Sequence, residues 1–360
     1  MSAPEPNPAV ADPALSRPDW TKAQPRDPAK LWLDKNENTD PTLSAIVAEV
    51  MRELPPEAFF TYPDSAALYA KLADSLELFP DQLILTAGSD GAIRAVFEAY
   101  IAPGDTVLHT NPTFAMYAVY SKMYGAKAVT LDYRPSNDGP QLLSADIIEA
   151  IAKHRPKLVC LPNPDSPTGT VYPLRELELI IRAAGRAGAL ILIDEAYYPF
   201  HPDSCIAWTR RFDHLVVARS TGKAWGLAGL RIGYAAASSD VARILHKVRP
   251  MYEVNTVAVH AFERMLDYAD DVRESVRRLQ AGKALFLDSM EKLGYRTLRG
   301  QGNFMHVAFG ARAEKVHAAL EPLVYYRKDF SEPCLKGFSR FSATTPELFQ
   351  PIIDRIAEVS

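Results

Sequence analysis

Cysteine is scarce in this chain. Its three residues, Cys160, Cys205 and Cys334, are scattered and odd in number, which argues against a disulfide framework or a zinc knuckle. No apolar run approaches the roughly 18 residues that a spanning helix needs. Neither charge dominates, with 40 Lys and Arg against 44 Asp and Glu, so the basic surface of a nucleic-acid binder is missing. The eight histidines form no HExxH or other paired spacing, and metal catalysis loses support with them. The opening stretch has no apolar core behind a basic end, so it does not read as a secretory signal. The expectation is a protein of the cytoplasm without membrane or nucleic-acid partners. What is present is 360 residues, 48% hydrophobic and 23% charged, enough for two domains and a large core. Glycine, at 18, is outnumbered by 28 prolines.

Seven of those prolines lie between Pro4 and Pro28, where no helical or strand period survives. Residues 1–30 are read as an extended or partly disordered arm. From residue 82 onward, short apolar runs alternate with amphipathic stretches. Strands are expected at 82–86, 106–110, 126–131, 158–161, 189–193, 215–218 and 232–236. Helices are expected between them at 91–102, 114–124, 145–153 and 174–187. Strands that are apolar throughout and separated by helices predict an α/β fold, with a mainly parallel seven-stranded sheet covered on both faces. Beyond residue 238 comes a charge-rich helical stretch at 257–293, one helix or two. It is followed by a smaller α+β pattern, with strands at 304–309, 324–327 and 338–342 and helices at 311–320 and 346–359. The basic stretch 273–278, interleaved with Glu274 and Ser275, reads as a solvated helix face.

Four segments carry candidate chemistry. ALILIDEAY (189–197) delivers Asp194 and Glu195 to the carboxyl edge of a buried strand, where ligands bind in open α/β sheets; a helix cap or a solvated strand end is an equally good reading of that segment alone. HLVVARSTGKAWGLAGLRIGY (214–234) places Lys223 among Gly, Ala and Trp with no counter-charge before Arg231. Such a lysine can have a lowered pKa and act as a Schiff-base amine, although most lysines are solvated surface charges. LILTAGSDGAIRAVFEA (83–99) runs a strand into a helix start that can hold an anion on free backbone N–H groups. It fits neither the Walker pattern nor GxGxxG, and an ordinary capped helix looks the same. LVCLPNPDSPTG (158–169) is a strand followed by a loop that its prolines make rigid. His109, at a strand end, reads as a hydrogen-bonded core-edge residue. Together, a Schiff-base lysine, a pyridinium-pairing aspartate and a phosphate-holding helix start are what a protein contributes to pyridoxal phosphate chemistry.

From about residue 31 to the end the chain resembles the fold-type I, class I/II aminotransferases, the histidinol-phosphate aminotransferase group in particular. The likeness lies in LDKNEN (33–38), TYPD (61–64), GSDGAI (88–93), NPTFAMY (111–117), PNPDSPTG (162–169), DEAY (194–197) and STGKAWGLAGLRIGY (220–234), and near the end in YYRKDF (325–330) and GFSRFSATTPE (337–347). It implies the three-layer α/β/α aspartate aminotransferase-like fold, with a smaller discontinuous α+β domain built from 31–60 and 251–360 around a cofactor-binding domain at 61–250. It implies that Lys223 forms the Schiff base with pyridoxal 5'-phosphate and then shuttles a proton between substrate Cα and the cofactor. Asp194 would pair with the ring nitrogen, Tyr197 would donate to the phenolate oxygen, and Phe114 would stack on the ring. Gly88, Ser89, the backbone at Asp90, Ser220 and Arg231 would hold the phosphate, with Tyr62 reaching in from a partner subunit of a homodimer. Arg340 would bind the substrate carboxylate and Arg327 a phosphate or second carboxylate, with Asn36, Asn303 and Trp20 near the substrate.

The chain departs from the family's pattern at three places. Ser166 stands where the loop usually ends its paired asparagines, so the phenolate contact is expected to fall to Tyr197 and the Schiff base to hold its proton to higher pH. Gly222 replaces the usual serine before the lysine. Pro18-Asp19-Trp20 replaces an early Pro-Tyr pair that touches substrate. The expected activity is amino transfer between an amino acid, glutamate foremost, and a keto acid or phosphorylated ketone. A decarboxylase or oxidase on the same scaffold is the alternative, with a non-catalytic relative behind it.

Overall fold

The computed structural model describes residues 4–13, 15, 20–22 and 25–360, with Trp20 described by its backbone alone. Pro18, Asp19 and the Trp20 side chain lie outside the described residues. Twelve strands are described: β1 Leu31–Trp32, β2 Leu83–Thr86, β3 Thr106–Asn111, β4 Lys127–Asp132, β5 Leu158–Pro162, β6 Leu190–Asp194, β7 Leu215–Ser220, β8 Gly233–Ala236, β9 Arg296–Leu298, β10 Phe304–Ala308, β11 Val324–Tyr325 and β12 Ser339–Ser342. The helices are α1 Pro8–Ala11, α2 Pro41–Arg52, α3 Ala66–Ser75, α4 Gly88–Tyr100, α5 Met116–Met123, α6 Ser144–His154, α7 Leu174–Ala187, α8 Ser239–Val248, α9 Thr256–Met265, α10 Ala269–Lys292, α11 Ala313–Leu320 and α12 Pro346–Val359.

Seven strands form one sheet in the order β2-β8-β7-β6-β5-β3-β4. Every pairing is parallel except those of β8, which runs antiparallel to both neighbours. Period-two alternation decides which layer each side chain joins. Leu158 and Cys160 of β5, with Leu190 and Leu192 of β6, face a cluster that includes Phe97 of α4, Tyr117 of α5 and Leu245 of α8. Val159, Leu161, Ile191 and Ile193 point the other way, to Ile151 of α6 and Ile180 of α7. This is the expected three-layer arrangement. Because both faces are covered, the central strands are apolar along Leu158–Leu161, Leu190–Ile193 and Leu215–Ala218, with Pro162, Asp194 and the Arg219-Ser220 pair at their carboxyl ends.

Local signals place the helix ends. Asp40 caps α2 by accepting from the Thr42 N–H, with Pro41 in the first turn, and Asn255 caps α9 through the Ala258 N–H. Gly188 ends α7 at φ +75°, a conformation that glycine adopts without steric cost. The stretch 257–293 is two helices, α9 and α10, joined by a turn at Leu266–Tyr268. Arg278 of α10 is not on a solvated face. It donates to Asp40 Oδ2 at 2.6 and 3.0 Å, and Asp40 is fully buried, so the pair locks α10 to the start of α2. Arg273 and Arg277 do face solvent.

A three-stranded antiparallel sheet, β12-β10-β9, packs against α10. The parallel pair β1–β11 runs beside it, so residues 31–36 lie next to 324–327 and 339–342. The opening arm is less featureless than its prolines suggest. It contains the α1 turn and a second turn at Trp20–Lys22. Arg26 then donates to both Glu37 carboxylate oxygens at 2.8 Å and to Asp34 at 3.0 Å while lying 4.2 Å from the centre of the Trp32 ring.

Candidate active site

Strand register assembles the site. Pro162 of β5 pairs with Asp194 of β6, and Asp194 with Ala218 of β7. Three loops therefore leave the carboxyl edge of the sheet side by side, carrying Pro162–Ser166, Asp194–Tyr197 and Ser220–Lys223. They surround a cavity of about 190 Å³ closed on its far sides by Ser89, Asp90, Phe114 and Arg231. Nine of the eleven expected cofactor residues line it. Gly88 and Tyr62 do not.

Asp194 sits at the floor, 5% exposed. It accepts from the Tyr117 hydroxyl at 3.1 Å and from the Ala196 N–H at 3.0 Å. Burial lifts its carboxyl to about 6, those two donors oppose the rise, and Asp90 and Glu195 add to it. No cation is bonded to it among the described residues, so its charge is only partly compensated. Glu195 behaves differently. It turns away from the cavity into a buried pair with Arg219, two bonds of 3.0 Å, and also accepts from Ser204 and the Cys205 N–H.

Lys223 is half-buried and donates to the Lys35 carbonyl at 2.7 Å. Loss of solvation, with Arg340 and Arg231 nearby, lowers it to about 8 against the opposing pull of Glu37 and Asp194. An amine of that pKa is available as a nucleophile near neutral pH. Gly222 is held at close quarters: a Cβ there would stand 3.2 Å from Ala228 Cα and 3.3 Å from Ser220 Oγ. The glycine before the lysine thus fits a locally tight turn.

The anion cradle is built from α4 and Arg231. The residue before α4, Ala87, makes no side-chain cap, so first-turn N–H groups remain available. Arg231, at φ +53°, reaches the helix start and, among the described residues, donates to the backbone carbonyls of Ala228 and Ala87 with no carboxylate partner. Gly88 suits this place: its φ is +76°, and a Cβ on it would lie 2.8 Å from Arg231 Nη2 and push the guanidinium aside. Asp90 is tied to the Tyr120 hydroxyl at 3.0 Å.

The expected substrate residues divide into two groups. Arg340 and Arg327 are neighbours across an isolated antiparallel bridge. Arg340 is buried, donates to the Asp34 carbonyl at 2.9 Å, leaves its Nε unpartnered, and has no carboxylate partner among the described residues. Arg327 is outside the cavity, over the Phe330 ring at 3.8 Å and 3.6 Å from Glu332. Asn36 and Asn303 are not open to the cavity. They are buried and bonded, Asn303 to the Asn36 carbonyl and Asn36 to the Tyr197 hydroxyl, each at 2.9 Å. Tyr62 is 75% exposed and stacks on Tyr252 with ring centres 4.2 Å apart. His109 is a core-edge residue, with Nδ1 2.8 Å from the Thr110 carbonyl.

Two buried residues near the site were not singled out from the sequence. Tyr117 is one helical turn past Phe114, and that spacing was its available signal. Asp165 had none beyond its place in the proline loop. It is completely buried, takes hydroxyl donors from Thr110, Thr113 and Thr168 at 3.0–3.1 Å, and rises to about 7 through loss of solvation.

A buried carboxylate with no bonded cation among the described residues, a desolvated lysine, an aromatic wall and a helix start without a side-chain cap beside an arginine bonded to carbonyls alone among those residues fit the ring nitrogen, aldehyde, ring face and phosphate of pyridoxal phosphate. Fold and site together define a fold-type I pyridoxal-phosphate enzyme. Residues 28–356 match the family Aminotransferase class I and II, and the chain belongs to it; the enzyme is a pyridoxal-phosphate-dependent transaminase. It is 30% identical over 302 residues to a histidinol-phosphate aminotransferase of Caldanaerobacter subterraneus subsp. tengcongensis, covering 83% of this chain and 84% of that protein. The fold is shared with the pyridoxal-5'-phosphate complex of histidinol-phosphate aminotransferase from Sinorhizobium meliloti, with a TM-score of 0.80, 22% identity, and 92% and 90% of the two chains covered. It is shared also with Thermus thermophilus aspartate aminotransferase bound to maleate, with a TM-score of 0.75, 22% identity and 92% of each chain covered.

Proposed function

We propose that the chain moves an amino group from an amino acid, glutamate foremost, to a keto acid or phosphorylated ketone, in the manner of the histidinol-phosphate aminotransferases it is similar to. The observation that carries the substrate assignment is Arg340. It is a buried guanidinium close enough to Lys223 to lower its pKa, and it has no carboxylate partner among the described residues. A substrate carboxylate bound there in bidentate fashion would be placed at the lysine. Arg327, bridged to the same backbone, is assigned to the second anionic group, once that group displaces Glu332.

When bound, pyridoxal phosphate supplies an electron sink for the bond broken at substrate Cα. In this reading Asp194, ionised above about 6, holds the proton on the ring nitrogen. The Tyr197 hydroxyl donates at the phenolate edge and Phe114 covers the ring face. Ser89, the Asp90 backbone, Ser220 and Arg231 anchor the phosphate through the α4 terminus. Lys223, once released from the Lys35 carbonyl, would take the proton from substrate Cα and deliver it to the cofactor carbon bonded to the amine, acting first as base and then as acid on one and the same face. That exchange is general acid–base work suited to a group near 8.

The homodimer and the domain division belong to the same proposal. Phe59, Phe60, Tyr62 and Met251 are each at least 70% exposed, large apolar side chains that a second copy would cover. Residues 61–250 would hold the cofactor, while 31–60 and 251–360 supply the arginines. Three free, buried cysteines are compatible with the reducing cytoplasm expected from composition. Half-reactions with an amino-acid panel, followed by the visible spectrum, test the substrate assignment. Glutamate should convert the chromophore of the wild type, and Arg340→Gln should raise the concentration needed at least about tenfold, the loss of one charge-assisted bidentate contact. Release of carbon dioxide or consumption of oxygen without an acceptor would overturn amino transfer.

A further inference from the structure

Asn36 is held by more bonds than a residue awaiting substrate needs. Its backbone is left-handed, at φ +59°. Its N–H donates to Ser342 Oγ at 2.8 Å, and its carbonyl accepts from Asn303 Nδ2 at 2.9 Å. Because Ser342 Oγ already accepts that N–H, its own proton goes to Asn36 Oδ1, 3.1 Å away. This fixes the amide's orientation: the oxygen faces Ser342 and the NH₂ faces Tyr197, 2.9 Å from its hydroxyl oxygen. Tyr197 therefore accepts from Asn36, and its proton has to point elsewhere. The open direction is the cavity, where Ser166 also stands within hydrogen-bonding reach.

We propose that Asn36 is a positioning residue for Tyr197: its anchored amide occupies the acceptor side of the phenol and aims the hydroxyl proton at the phenolate edge of the cofactor. A hydroxyl that accepts one hydrogen bond also donates a stronger one. Asn36 thereby supports the contact that Ser166, too short to reach as an asparagine would, leaves to Tyr197. The anchors come from β12 through Ser342 and from the residue preceding β10 through Asn303. The aim of a tyrosine on a loop leaving the large sheet is thus set from the small one. The charged groups around Tyr197 are Arg340 and Asp194, with Lys223 5.9 Å from the ring centre. Any of them can shift a nearby proton affinity, so the test must isolate the path through the phenol.

The inference rests on the site assignment above, which the glutamate half-reaction tests separately. The experiment is an absorbance pH titration of the substrate-free holoenzyme chromophore in Asn36→Gly, Tyr197→Phe and the double variant. Glycine keeps the left-handed backbone without strain while deleting the amide. Asn36→Gly is expected to raise the chromophore midpoint by about one pH unit, a tenfold change in proton affinity. It should add nothing in the Tyr197→Phe background. Ser342→Ala, which frees the amide without touching Asn36, should move the midpoint the same way by less, and Ser166→Asn should return the Asn36→Gly midpoint toward the wild type. An unmoved midpoint in Asn36→Gly, or an equal shift in both backgrounds, would overturn the proposal. A residue that merely packs the site would lower cofactor retention without that dependence on Tyr197.

Discussion

Asp194→Asn separates what the site costs from what it does. In the cofactor-free protein Asp194 is buried with two donors and no bonded cation, and its carboxyl stands at about 6 against an ordinary 3.8. A raised carboxyl pKa means that the native state binds more protons than the unfolded chain between those two values, so stability falls as pH rises through that window. At about 1.4 kcal/mol per pH unit, the climb from 3.8 to about 6 is roughly 3 kcal/mol, lost progressively between about pH 4 and pH 6–7. Asparagine has the same shape, can satisfy Ala196 and Tyr117, and does not titrate. Cofactor-free Asp194→Asn should therefore exceed the wild type in stability by a gap that approaches about 3 kcal/mol at pH 8, narrows below pH 6 and closes near pH 4. The assay is urea unfolding of the stripped proteins across that range, read as the midpoint at constant slope. With cofactor loaded the order should reverse, because the carboxylate gains the ring N–H that the asparagine cannot match. Parallel stability profiles for the two stripped proteins would refute the reasoning, since the burial cost of Asp194 would then not exist.

Gly169→Ala should destabilise by at least about 2 kcal/mol and weaken cofactor retention, read by denaturation and by the cofactor off-rate: φ is +76° and the new Cβ would stand 2.7 Å from Gly300 Cα, where both neighbours are backbone and neither can turn aside. Co-expressing Tyr62→Ala with Lys223→Ala should give activity above that of either parent, because a hybrid dimer with Tyr62 serving the partner contains one site with both residues. No gain over the parents would refute the shared site.

Much of the architecture was legible in one dimension. Residues 158–161 and 189–193 are apolar at every position, too short for buried helices and separated by an amphipathic stretch, and that alternation points to a parallel sheet covered on both faces and to its carboxyl edge. The short strands β1 and β9 were not legible, since two or three residues carry no period and pairing partners as distant as Val324 decide them. Helices α2 and α3 were passed over because tertiary packing of Leu43, Val50, Leu68 and Leu72, more than propensity, holds them in place. Arg278 shows the same limit. Its neighbours in sequence describe a wet helix face, and only the approach of α2 makes it the partner of a buried aspartate.

For the site, residue type and order made the lysine, the aspartate and the helix-start cradle candidates, because each chemistry demands a particular side chain at a strand end or helix start, and the family resemblance added the tyrosine. The sequence alone determined the cofactor class and the scaffold on those terms. Only the tertiary structure decided which candidates face the cavity and which serve behind it. Asn36 and Asn303, expected near the substrate, lie buried and bonded beside Tyr197; Arg340, expected to bind the substrate carboxylate, is a buried cation without a carboxylate partner among the described residues; and Asp165, unremarked in its loop, is a desolvated acid. The physical reason is common to all three. Hydrogen-bond partners and solvation are set by residues distant along the chain, 55 positions away for Asp165 and 306 for Asn36 and Arg340, and no local pattern encodes what will stand on the far side of a side chain.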